Sequence, residues 1–521
     1  MKAERGSGVR LAELVAAFSL ATDLGLGQPM EHVLRSWLIA SRMGERMGIE
    51  SETRRSLYFV ITLAMAGCVA ETPELAIWFG DDIALRRDKF EVDFAGFAKQ
   101  AFSLRHSALG SPPLERFRRS VRMAALGSGG ADQILISHCI TTGRMADRLG
   151  LGDDVIDPLQ QVFSRWDGKG VPSGLSGGRI AISVRLFHIA DITEVFHRSH
   201  GIDAAMAVAR ERRGTQLDPG MVDEFCAAAA GLLDGLDSVA EWDALIRDEP
   251  GLQQELSDEQ LDLSFEAIAD FTDLRSPARA GHSRAVADLA EKAAELSGLP
   301  AEEVTNLRRA GFVHDLGMHG LPATILDKPG PLTAAESERM RMHAYYTERM
   351  LSRPPRLARV GAIASLANER LDGSGYHRGL SGAAIPVAAR ILAAADAFQA
   401  MSEPRPYRPA FPVKSAVEAL KSDVRAGRLG ADAVDAVLAA AGQRPGRRRS
   451  GPAGLTAREV EVLVLIARGS SNKQVARSLG ITPKTAGTHI ERIYTKIGAS
   501  TRSTATLFAM QQGLLDNLEP S

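Results

Sequence analysis

Gly311–Met318 reads GFVHDLGM, and two of its residues, His314 and Asp315, stand polar inside an otherwise apolar helical pattern. An imidazole beside a carboxylate in apolar surroundings must be paired, coordinated or used, because either group buried alone is costly. The text around this stretch is helical as well. Aromatics make up 5% of the chain, alternating Val/Ile/Thr runs are few, and Gly/Ala-rich periodic segments begin at Leu11. An all-α fold is expected.

Outward from GFVHDLGM, the chain repeats itself. His32, Gly48 and Gly67 recur as His282, Gly298 and Gly317, each 250 positions later. A second block, WDGKGVPSGLSGGRIAISVRLFHIADI from Trp166, recurs 205 positions later as LDGSGYHRGLSGAAIPVAARILAAADA from Leu371. Asp167, Arg185, Asp191 and His138 thereby answer to Asp372, Arg390, Asp396 and His343. Two copies of one helical domain are expected, residues 1–247 and 261–440, with a linker over 248–260. The first copy carries extra residues over roughly Asp81 to Gly130, including a GSGG at Gly127 that lacks the Lys-Ser/Thr of a phosphate loop. Where the second copy has His314 and Asp315 the first has Ala64 and Met65, so it cannot host the same site. Its His32, His138 and Asp191 read as structural remnants.

In the second copy Ser276-Pro277 reads as the start of a helix that Gly298 stops, placing His282 in its first turns. Thr333-x-x-Glu336 is a capping box opening the helix of His343. Asp372-Gly-Ser-Gly is a turn, and Ile385–Ala400 presents Asp396 inward, while His319 and His377 read as loop residues. Separate helices thus bring His282, His314, Asp315, His343 and Asp396 to one core. Such a mixed N/O set suits one divalent ion, Fe, Mn or Zn, and an ion with an open position acidifies water near neutral pH. Phosphoester hydrolysis is the natural use, with Asp315 as the candidate catalytic carboxylate.

The order H…HD…D at His282, His314-Asp315 and Asp396, set among HSRAVADLA, LDKPGPLT, ERLDGSGY and RPYRPA, resembles the HD-GYP subclass of HD phosphohydrolases. The likeness is strong over 261–430 and weak over 28–235. It implies phosphodiesterase chemistry on cyclic di-GMP at a two- or three-metal centre, with Lys328, Arg405 and Arg408 facing phosphate. The chain departs from the family pattern in its ligands. Met318 stands where the family has Lys, Ala367-Asn368-Glu369 replaces HHE, Gly375-Tyr376-His377 replaces GYP, and Ala278 supplies no carboxylate. Two histidine ligands of a second metal are gone, and a one-metal set remains.

Residues 441–453, containing RPGRRRSGP at Arg444–Pro452, read as a basic flexible linker. Beyond it, 454–516 reads as four helices opened by Thr456-x-x-Glu459, Ser471-x-x-Gln474, Thr482-Pro483 and Ser500. The second and third form a helix-turn-helix whose third helix would enter the major groove with Lys484, Thr485, Thr488, His489 and Arg492 outward. Asn472, Lys473 and Lys496 complete the candidate DNA contacts, and the local excess of Lys and Arg suits phosphate. LTAREVEVLVLIARGSSNKQVARSLGITPKTAGTHIERIYTKIGASTR, from Leu455, closely resembles the LuxR-type DNA-binding domain, with Ala486 in place of the usual Val and Gly487 where a basic residue is common. The resemblance implies double-stranded DNA as partner and a homodimer formed by the last helix, near Leu507, Phe508 and Leu514.

A formal net charge of -2 over 521 residues excludes a chain that binds polyanions along its whole surface. Cys68, Cys139 and Cys226 lack CxxC spacing, which fits a reducing compartment, the cytoplasm. The apolar run Leu57–Ala70 is too short to span a bilayer and reads as a buried helix, so no membrane partner is expected. The chain is read as a transcriptional regulator whose HD-type domains sense, or residually hydrolyse, a phosphorylated small molecule such as a nucleotide. The alternatives are a metal-dependent phosphohydrolase with a DNA-binding tail, and a pair of HD copies serving only as a dimerisation scaffold.

Overall fold

Helix starts follow the capping chemistry written in the sequence. Ser257, Thr333, Thr456 and Ser471 each accept from the backbone N–H three residues on, while Gln260, Glu336, Glu459 and Gln474 reach back to the cap. Each such box satisfies two backbone donors and is worth about 1 kcal/mol. The computed structural model describes residues 6–93, 101–102, 105–106, 132–236, 246, 249–443, 452–499, 502–512 and 514. The GSGG at Gly127 and the arginine run of the 441–453 linker lie outside them.

The first copy comprises α1 (Leu11–Gly25), α2 (His32–Arg46), α3 (Ser51–Leu63), α4 (Cys68–Phe79), α5 (Asp82–Asp88), a helix over 132–148, α6 (Asp153–Leu159), α7 (Ile182–His200), α8 (Ile202–Glu211) and α9 (Pro219–Leu233). The second holds α10 (Asp258–Asp273), α11 (His282–Ser297), α12 (Ala301–Val313), α13 (Ala334–Leu351), α14 (Pro355–Ala364), α15 (Val387–Ser402), α16 (Val413–Arg425) and α17 (Ala431–Ala440). The repeat is therefore structural, with α1–α3 answering to α10–α12 and α7 to α15. Ser51–Phe79 is long and apolar enough to cross a membrane by composition, but it breaks between α3 and α4 and 67% of its apolar window is buried in the core.

One helix start differs from expectation. Ser276-Pro277 opens only a 3-10 turn, Pro277–Arg279, and α11 begins at His282 itself. The Ser276 hydroxyl is spent on Asp327 at 2.5 Å, and Gly281 turns the chain at φ 80. In the first copy Glu31 holds the same left-handed place at φ 79 before His32.

The stretch expected as a linker is built into the fold. Within it Glu255–Ser257 pairs antiparallel with Gly6–Arg10, the two strands of a small sheet, and Ser257 caps α10. Residues 1–440 form one unit and 441–521 another. Between the copies, Asp82 of α5 accepts from the Ala323 amide (2.9 Å), from Arg275 (3.3 Å) and from Arg86 (2.5 Å), all of them buried. His319, read as a loop residue, is buried in the turn Leu316–Gly320 and meets the edge of Phe18 from α1.

The C-terminal unit contains α18 (Ala457–Ala467), α19 (Asn472–Leu479), α20 (Pro483–Ile497) and α21 (Arg502–Gln511). Gly480 (φ 64) and Gly498 (φ 66) end α19 and α20 in the left-handed caps their positions predict. Val462, Leu463, Val475, Ala486 and Ile493 make its core.

Candidate metal centre and nucleic-acid interface

One close approach sets the geometry of the HD stretch. A Cβ on Gly317 would strike the backbone carbonyl of His343, so only glycine lets the turn after Asp315 lie against α13. The Gly317 amide donates to Thr347 Oγ1 (2.9 Å), which in turn donates to the His314 carbonyl (3.2 Å). The first copy repeats this joint. Gly67 would strike His138, and its amide donates to Thr142 Oγ1 at 3.0 Å. The scaffold of the site is kept in both copies; the His-Asp pair is kept in one.

In the second copy three imidazoles are aimed by the same device. His282 Nδ1 is held by Glu403 (2.8 Å), His314 Nδ1 by the Gly311 carbonyl (2.8 Å) and His343 Nδ1 by the Met340 carbonyl (2.5 Å). Each Nε2 is left facing the centre. His282 Nε2 lies 3.2 Å from Asp396 and 3.8 Å from Asp315, His314 Nε2 lies 3.3 Å from Asp315 and 3.8 Å from Asp396, and His343 Nε2 lies 3.8 Å from Asp315. Ligating histidines carry this outer-shell carboxylate or carbonyl, which fixes the tautomer and raises basicity. Ligand atoms of His282, His314 and Asp315 all fall within 4.8 Å of one another. His314 Nε2 is buried without a hydrogen-bond partner, facing the Asp315 and Asp396 carboxylates, the state expected of an atom shaped to hold a cation, while Asp315 Oδ2 is buried against the Arg279 guanidinium. A divalent ion fits this donor set.

Electrostatics agree. Burial drives His343 down to about 4, helped by Arg279 and His314, so it is neutral and ligand-competent at pH 7. Burial alone would raise Asp396, but the hydrogen bond from His282 and the neighbouring His314 imidazole hold it well below the carboxylate range. Glu403 follows the same pattern through its bond to His282.

Two groups here carry no motif. Arg279, on the turn before α11, ion-pairs with Asp315. Asn368 donates to His343 Nε2 (3.1 Å) and accepts from Tyr376 Oη (2.9 Å), so an amide stands where the family pattern has a second-metal histidine. Neighbouring Glu369 is structural, accepting from the amides of Arg378, Gly379 and Leu380.

The phosphate-facing set needs correction. Arg405 does reach the site, contacting His282 Nδ1 (3.3 Å) and Glu403 (3.0 Å). Lys328 does not, because its ammonium is neutralised by Glu336 at 2.5 Å and serves that residue's capping box. Arg408 spends its guanidinium on the carbonyls of Ala400, Met401, Glu403 and Pro409, bracing its own loop against Phe411.

In the first copy the corresponding imidazoles are paired with carboxylates. Burial works against charging His32, but Glu194 (2.5 Å) and Asp191 (3.0 Å) overcome it and raise the imidazole to about 10. His138 is raised to about 10 against burial by Glu71 (2.7 Å), while its Nε2 meets the Ala64 carbonyl (2.8 Å). Cys68, Glu71 and His138 cluster closely enough to suggest a second metal group, yet both ring nitrogens of His138 are already engaged.

On the C-terminal unit, Lys484, Thr485, Thr488 and Arg492 are exposed along α20, His489 is half-buried beside them, and Asn472 and Lys473 are exposed at the start of α19. The Thr488 hydroxyl donates to the Lys484 carbonyl (3.2 Å), leaving its oxygen free to accept. Lys496 departs from the set. It is held by Glu459 at 2.7 Å and ties α20 to α18.

A family model for the HD domain matches residues 266–432, and one for bacterial regulatory proteins of the luxR family matches 453–509. The chain carries an HD domain and a LuxR-type C-terminal domain. Among proteins similar to it, 3'3'-cGAMP-specific phosphodiesterase 3 of Vibrio cholerae is 28% identical over 419 residues, 80% of this chain and 91% of that one. A cyclic di-GMP phosphodiesterase of Thermotoga maritima is 41% identical over 143 residues, 27% of this chain and 39% of that one. A crystal structure of a cyclic GMP-AMP-specific phosphodiesterase of V. cholerae matches with a TM-score of 0.59 at 25% identity, covering 84% of this chain and 98% of that one. The first likeness extends well beyond the HD segment. The HD domain's relatives are cyclic-nucleotide phosphodiesterases, and the LuxR-type domain makes the chain a DNA-binding regulator.

Proposed function

We propose that the second HD domain binds one divalent ion and a cyclic dinucleotide, and that this HD-domain regulator uses the bound state as a signal for its DNA-binding domain rather than turning the nucleotide over efficiently. The observation that carries the reading is the pairing of an intact three-histidine, two-carboxylate set with Asn368 and Ala367 at the positions of a second metal. His282, His314, Asp315, His343 and Asp396 would hold the ion, which supplies Lewis-acid charge to a phosphoryl oxygen when bound. Arg405 and Arg279 add fixed positive charge beside it, suited to a phosphodiester. Charge without a second ion favours holding the ester over stabilising both the attacking and the leaving oxygen. The chain acts as a homodimer on double-stranded DNA in the cytoplasm.

The relative named for cGAMP hydrolysis, alike over 91% of its length, supports a second reading, a slow phosphodiesterase with a DNA-binding tail. The test is metal analysis of the purified protein, followed by turnover of cyclic di-GMP and 3'3'-cGAMP and by operator binding with each nucleotide. One metal per chain with tight nucleotide binding and negligible turnover supports the sensor; turnover lost on His314→Ala supports the enzyme; operator affinity unmoved by either nucleotide overturns the sensor.

A further inference from the structure

The first copy lacks the His-Asp pair, having Ala64 and Met65 in its place, but holds a cavity of about 250 Å³. Met65, at the place of Asp315, lies in its wall, as does Asp191, at the place of Asp396. Five phenylalanines, Phe79, Phe90, Phe102, Phe163 and Phe187, line it. Its volume lies below the ~300–1,000 Å³ of drug-sized pockets. It therefore suits a compact molecule and not a cyclic dinucleotide.

Its charges are unevenly met. Asp191 and Glu71 are taken up by His32 and His138. Arg86 is paired with Asp82, and Arg165 and Lys169 with Asp167. Arg212 is 4% exposed and donates to the Phe90 carbonyl (2.9 Å) and to Gln216 (3.2 Å). Its Nε is buried without a partner, and among the described residues no carboxylate lies at ion-pair distance from it. Asp93 and Glu211 act on it from farther away, Asp93 being held on both oxygens by Arg165 (2.5 and 3.2 Å), and the Arg212 guanidinium lies 5.9 Å from the Phe196 ring centre. A buried guanidinium without a counter-charge is costly, and an anion in the cavity would remove that cost.

We propose that this cavity is a binding site for a small aromatic carboxylate, its ring among the phenylalanines and its charge at Arg212. The walls also connect to the other copy. Arg86 and Lys89 line the cavity on α5 and the turn after it, and Asp82, one helical turn before Arg86, grips Arg275 and the Ala323 amide. A ligand against α5 thus bears on the segment that follows the HD pair.

The site rests on the first copy alone, so its test is independent of the metal centre. Full-length protein is titrated calorimetrically with 2-naphthoate and with its neutral counterpart 2-naphthamide. One saturable site per chain is expected, with naphthoate at least tenfold the tighter. Arg212→Gln should abolish that preference while leaving amide binding in place. Phe79→Asp, at a half-buried wall position, should weaken naphthoate selectively even if Arg212→Gln fails to fold. Absence of saturable naphthoate binding, equal binding of the two probes, or a preference that survives whichever of the two substitutions folds would overturn the proposal.

Discussion

His314 and Ala64 occupy equivalent places in two copies of one scaffold, each beside a glycine that permits the same helix contact, Gly317 or Gly67. The fold therefore does not require the imidazole. His314→Ala should drop metal content from about one ion per chain to below about a tenth, since removing a first ligand forfeits most of the affinity. Tm should move by less than about 4 °C. Elemental analysis beside a thermal melt decides it, and retained metal would remove the HD pair from the site. Arg279 makes the opposite case. Its guanidinium sits on Asp315 and competes with an ion for that carboxylate. Arg279→Met should tighten Mn²⁺ binding about tenfold by calorimetry, equivalent to ~1.4 kcal/mol; unchanged affinity would mean the guanidinium moves aside at no cost. His282, His314, His343 and Asp396 were legible in the sequence because the repeat and the motif order mark them. Arg279 was not, because it matters through what it displaces; Asn368 was legible as a missing histidine, though not as a donor to His343. Lys328 and Arg408 misled for a related reason: a cation near a phosphate motif is equally well spent on Glu336 or on backbone carbonyls.

At the scale of elements, capping boxes and glycines made most helix boundaries readable, whereas the union of the copies was hidden. A three-residue strand, Glu255–Ser257, is too short to show alternation, and its partner lies near the chain's start. The polar α5 likewise gives no sign in sequence that Asp82 is the joint between copies. Asp82→Asn should leave Arg275, 1% exposed, without its counter-charge, at a cost of about 3–5 kcal/mol. Urea unfolding of residues 1–440 should then split into two transitions if the joint is what makes the copies cooperative. A second element-scale test concerns α2 and α7. His32 is raised from 6.5 to about 10 by Glu194 and Asp191 against burial. Its stabilisation is complete below pH 6.5 and is lost as pH rises through about 10. The first copy should thus lose on the order of a few kcal/mol between pH 7 and 10, followed by Trp37, which packs edge-on to Tyr58. Glu194→Gln should reduce that dependence and leave the part that comes from His138, which Glu71 raises to about 10. A profile as steep as the parent's would show that the ion pair is not its source.

At the scale of the whole molecule, a sensor and its DNA reader are bound by thermodynamics to influence each other equally. The reader's contacts come first. Lys484→Ala or Arg492→Ala should lower operator affinity and reduce the slope of log K against log salt by about 1, one phosphate contact each. Lys496→Ala should instead loosen α20 from α18, because that lysine is committed to Glu459. If a cyclic dinucleotide at the second HD domain changes operator affinity by some factor, operator DNA must change nucleotide affinity by the same factor, since both measure one coupling free energy. That factor cannot exceed the nucleotide's preference between the two states. Two titrations on the metal-loaded protein check this: operator binding with and without cyclic di-GMP, and cyclic di-GMP binding with and without operator. Equal factors, abolished together by His314→Ala, are the expected result, because that substitution removes the ion without touching α20. Factors of one in both titrations would leave the HD unit and the DNA-binding unit as independent passengers on one chain.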